Sequence, residues 1–139
     1  MTALQARNLV HRRVGEYVVL ADLGDALARA ARQVGLSPAA PTRLVDADLV
    51  ALDADDHDRF LDVAELRAWE SILANATDPG LRDAALDESP SSVRELAREK
   101  IKSLGAHVKA VYGVGLASVS LGTIGLDFQA GADDTSDES

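Results

Sequence analysis

The stretch "DLGDALARAARQVGL", Asp22 to Leu36, decides how the rest of the chain is read. Leu23, Ala26, Leu27, Ala30, Ala31 and Val34 recur at i, i+3, i+4 and i+7, which places them on one face of an α-helix. Asp22 stands where a side-chain oxygen caps the first turn. Gly35 offers the left-handed conformation that ends a helix. Pro38 and Pro41 forbid continuation. Half of the apolar face is alanine, and the chain as a whole has 47% hydrophobic but only 4% aromatic residues over its 139 positions. A core of Leu, Val, Ile and Ala follows, with side chains small enough for helices to approach closely. The length suits a single domain.

Other helices appear on both sides of this one. Upstream, Leu4 to Arg13 predicts a shorter helix broken at Gly15. Downstream, "DDHDRFLDVAELRAWESILAN" predicts a helix with Asp55, Asp56 and Asp58 at its favourable N-terminal end and a wide apolar face of Phe60, Leu61, Ala64, Ala68, Trp69, Ile72 and Leu73. Trp69 on that face is expected in the core. "TDPG" ends the helix, and Asp78 and Pro79 suit a short helical turn reaching Leu86. A further helix is predicted after "DESPSS", with Ser92 and Glu95 as a capping box and Pro90 keeping the preceding chain extended. Val93, Leu96, Ala97, Ile101, Leu104, Val108 and Val111 form its near-heptad seam, and Gly113 and Gly115 stop it.

The segment "VYGVGLASVSLGTIGLDF", Val111 to Phe128, breaks this helical pattern. A membrane span needs about 20 predominantly apolar residues, and the run between Lys109 and Asp127 is shorter and carries Ser118, Ser120, Thr123 and several glycines. A dinucleotide loop follows a strand and has a third glycine, where this chain has a helix before it and Ser118. Alternation of Val119 and Leu121 with serines, then of Ile124, Leu126 and Phe128 with Gly125 and Asp127, predicts a β-hairpin over 118–128 turning at Gly122-Thr123. A bulged single strand is the other option. A lone hairpin has open edges, to be covered either by its own helices or by another subunit. Residues 131–139, "GADDTSDES", read as an acidic flexible tail. The fold class expected is therefore mainly α, a small helical bundle over 1–130 with a C-terminal β-hairpin.

The net charge is −9, and lysine is confined to Lys100, Lys102 and Lys109. Such a surface suits a protein kept soluble in strong salt, where screening removes self-repulsion, or an acidic protein of a GC-rich genome. It is poorly matched to general nucleic-acid binding, which needs clustered cations. Absence of cysteine excludes disulfides. Arg7, Arg12 and Arg13 precede no apolar signal-peptide core. "DADDHD" around His57 fails as a calcium loop, because Asp58 takes the glycine position and Ala64 that of the bidentate Glu. His11, His57 and His107 have no metal-ligand spacing, and no nucleophile-elbow motif accompanies the Ser, His and Asp present. No catalytic, metal-binding or cofactor-binding residue is assigned.

Two charge stripes remain. Asp55, Asp58, Asp62 and Glu65 share one helix face by spacing, and Arg94, Arg98, Lys102 and Lys109 share another. They are either two independently solvated faces or candidates for pairing within one subunit or between neighbours. Together with Val119, Leu121, Ile124, Leu126 and Phe128 of the hairpin they make up the candidate interface.

"ARNLVHRRVGEY" followed by "ADLGDALARAARQVGL" resembles the opening of small head–tail adaptor (connector) proteins of tailed viruses, in which an "RxxVGEY"-like stretch precedes an Ala/Leu helix. "FLDVAELRAWESIL" and "SSVRELAREKIKSLGAHVKAVYG" are similar to later helices of that bundle. The acidic linker "TDPGLRDAALDESPSS" departs from the pattern in length and charge. The resemblance implies a non-enzymatic virion protein, a ring-forming homo-oligomer, commonly a dodecamer. It would join the portal protein to a neck or tail-completion protein, with DNA as passing cargo and no membrane partner. It further implies location in the virion neck, and in the host cytoplasm during assembly. A negatively charged lumen would keep DNA phosphates from sticking. The alternative from the same residues is a small cellular helical interaction or regulatory module of antitoxin-like type.

Overall fold

A computed structural model of the chain describes residues 1–76 and 89–112. The predicted hairpin, its residues Val119, Leu121, Ile124, Leu126 and Phe128, the turn after Asp78, the stop at Gly113 and the acidic tail lie outside the described residues. Within them the protein is mainly helical and no strand is found. Four α-helices run in order: α1 (Ala3–Val14), α2 (Leu23–Gln33), α3 (His57–Ala76) and α4 (Pro90–Tyr112). Short 3-10 turns occupy Gly15–Leu20, Asp46–Leu49 and Ala54–Asp56. The residues group into two compact units, Met1–Leu104 and Gly105–Ser139.

Helix α1 begins at a capping box. The Thr2 hydroxyl accepts from the Gln5 N–H, and the Gln5 side chain accepts from the Thr2 N–H. The Ala3 N–H donates over 2.8 Å to Asp46, a residue distant in sequence whose charge suits a helix N-terminus. Gly15 ends the helix at φ 62°, its N–H returning to the His11 carbonyl. Helix α2 starts and stops where the sequence places its caps. Asp22 accepts from the Asp25 N–H at 3.1 Å, and Gly35 takes φ 95°.

The start of α4 differs from expectation. The capping side chain is Ser89, whose hydroxyl accepts from the Ser92 N–H, while its carbonyl accepts from the Val93 N–H. Pro90 is the first helical residue and does not merely hold the preceding chain extended. The reason is physical: at that position proline's missing N–H has no partner to lose and its φ is already helical. Ser92 therefore lies inside the first turn.

Helix α3 packs against both α1 and α2. Its buried residues are Phe60, Leu61, Val63, Ala64, Leu66, Arg67, Ala68, Trp69, Ile72 and Ala76. At 3.6 residues per turn these point in all directions, so α3 is a central helix whose burial extends beyond the wide apolar face its spacing predicts. Around it lie Ala6, Val10 and Val14 of α1 and Leu23, Ala26, Leu27, Ala30 and Ala31 of α2, all buried. The alanines allow the close approach inferred from composition. Trp69 is buried as expected. In α4, Val93, Ala97 and Val108 are buried, while Val111 is exposed.

One glycine is required by packing. A Cβ on Gly24 would lie 2.6 Å from the Thr42 carbonyl oxygen, on backbone that no side-chain rotation can clear. Gly24→Ala is expected to cost about 1–3 kcal/mol through overpacking. Gly105→Ala, in α4 with nothing within 4 Å of the added carbon, is expected to add about 0.5–1 kcal/mol. Thermal unfolding followed by circular dichroism separates the two, since the shifts have opposite signs.

Candidate interaction surface

Of the acidic stripe, Asp55 lies in the 3-10 turn before α3, and Asp58, Asp62 and Glu65 lie on α3 itself. The four do not act as one surface. Asp62 and Glu65 are half-buried and taken by Arg13 of α1, whose Nη1 lies 2.8 Å from Asp62 and 3.5 Å from Glu65. Asp55 and Asp58 are exposed, with no ion pair to either among the described residues. His57 is the first residue of α3, and the neighbouring Asp56 reaches Arg59 at 3.6 Å. Among the described residues no group of three His, Cys, Asp or Glu side chains could hold a metal ion. No described helix is long and apolar enough to cross a membrane.

The basic stripe lies on α4. Arg98, Lys102 and Lys109 are exposed and have no ion pair among the described residues; Glu95 and Glu99 alternate with them on the same helix. Arg94 is half-buried and donates to the Ala76 carbonyl at the end of α3. Lys100 lies off the stripe, its ammonium 5.9 Å from the centre of the Trp69 ring. These two contacts, Arg94 with Ala76 and Lys100 with Trp69, run in opposite order along the two helices. The first part of α4 is therefore antiparallel to α3. Arg98 comes level with the region of Trp69, and Asp58 lies about 16 Å further along α3 at 1.5 Å per residue. Arg98 and Asp58 do not pair within one chain.

Sequence reasoning did not find the polar contacts that organise α3. Trp69 donates its indole N–H to Glu65 at 3.1 Å, and its ring packs on Tyr17 with centroids 5.7 Å apart. Glu65 thus serves Arg13 and Trp69 together. The one signal available was the i, i+4 spacing of Glu65 and Trp69, which makes them neighbours on a helix. Arg67 is 2% exposed. Its guanidinium donates to Gln33 of α2 at 2.7 Å and to both Glu70 carboxylate oxygens at 2.7 and 2.9 Å. Ser71 accepts from the Asp22 N–H and Asn75 donates to the Leu20 carbonyl, tying the start of α2 and the turn before it to α3.

A groove of about 500 Å³ lies along α1, lined by Met1, Gln5, Asn8, Leu9 and Arg12 together with His57. Leu4 is 65% exposed and Val50 83% exposed. Comparison with known protein families, curated proteins and solved structures finds no match to this chain.

Two substitutions test the buried contacts. Glu70→Ala leaves the Arg67 charge with Gln33 as its remaining partner, and is expected to cost about 2–3 kcal/mol in urea unfolding, below the full buried-pair value because Glu70 is partly exposed. Lys100→Ala is expected to cost about 0.5–1 kcal/mol and to shift the emission of Trp69, the single tryptophan of the chain. An unchanged fluorescence spectrum would contradict the stacking of Lys100 on the ring.

Proposed function

We propose that this chain is a structural assembly subunit, a head–tail adaptor of a tailed virus whose host lives in strong salt. Copies form a ring that joins the portal to the next neck or tail component and surrounds the passing DNA. The observation that carries the proposal is the division of charge among the helices. Asp62 and Glu65 are consumed internally by Arg13. Asp55 and Asp58 at one end of α3, and Arg98, Lys102 and Lys109 on α4, stay exposed. Complementary charge held on helices sets the register of an interface more than its strength, because each exposed pair is worth only about 0–1 kcal/mol. Affinity must come from apolar surface, for which the sequence offers the predicted hairpin. The resemblance of "ARNLVHRRVGEY" and the helix after it to adaptor proteins supports the same reading.

A second reading, a small cellular helical interaction module, is favoured by the exposed Leu4 and Val50. The Ala3–Asp46 hydrogen bond brings the start of α1 to the turn preceding Val50. A single partner bound there needs no ring.

Native mass spectrometry in high salt, with and without the candidate portal, distinguishes the two. The adaptor reading expects a ring, alone or on the portal. A chain that stays monomeric and ignores the portal would rule it out. Double charge reversal of Arg98 and Lys102 to Glu is expected to weaken the ring, and so is reversal of Asp55 and Asp58 to Lys. Mixing the two variants is expected to restore assembly.

The salt-loving host is tested separately. Raising KCl from about 0.1 M to 1 M shortens the screening length from roughly 10 Å to 3 Å. With a net charge of −9 the midpoint of thermal unfolding should then rise. Indifference to salt would leave the acidic composition as a feature of the genome alone.

A further inference from the structure

We draw no further inference here: the strongest candidate, the groove of about 500 Å³ along α1 lined by Met1, Gln5, Asn8, Leu9, Arg12 and His57, carries nothing because no feature of the structure shows what covers it.

Discussion

From Phe60 to Leu73, helix α3 has no exposed residue, yet this stretch contains Asp62, Glu65, Arg67 and Glu70. That combination is the constraint on which the rest of the unit depends. A charge withdrawn from water is costly unless another group takes its hydrogen bonds. Here the partners come from different elements: Arg13 from α1, Gln33 from α2, and Trp69 and Glu70 from α3 itself. The one-sided apolar faces of α1 and α2 bring the helices together and set their rotation coarsely. The polar contacts refine it. Arg13 lies on the Asp62 side of α3 and Gln33 on the Arg67 side, so α1 and α2 each meet α3 through a separate polar contact.

The helices were legible because their signals are local. Leu23 to Val34 repeat with helical spacing, Asp22 caps and Gly35 stops, and each needs only its near neighbours in sequence. Spacing reports which residues share a face, however, and not how many faces are covered. Val63 and Leu66 fell outside the apolar face read for α3, although both are buried. An all-round burial becomes visible only when the neighbours are in place. Ser89 and Ser92 show a related limit. Both suit a helix cap, and the choice rests on Pro90, which is better accommodated in the first turn than before it.

The candidate surface was legible in part for the same reason. Asp62 and Glu65 share spacing with Asp55 and Asp58, so a helical projection groups all four. What separates them is Arg13, forty-nine positions from Asp62 in sequence, and no periodicity links residues so far apart. The basic residues of α4 divide in the same way. Arg98 and Lys102 remain at the surface, but Arg94 turns to the end of α3 and Lys100, off the stripe, covers Trp69.

This sorting narrows what the surface can offer a partner. Charges that hold α1 and α2 on α3 are not free to change partners without loosening the unit that carries them. The exposed remainder is acidic at the start of α3 and mixed along α4, where Glu95 and Glu99 alternate with the cations. A uniformly basic helix would attract any polyanion, nucleic acid included. Alternating signs weaken that attraction, while a matched pattern of charge can still select one register. A helix of alternating sign is therefore poorly suited to capture of a phosphate backbone.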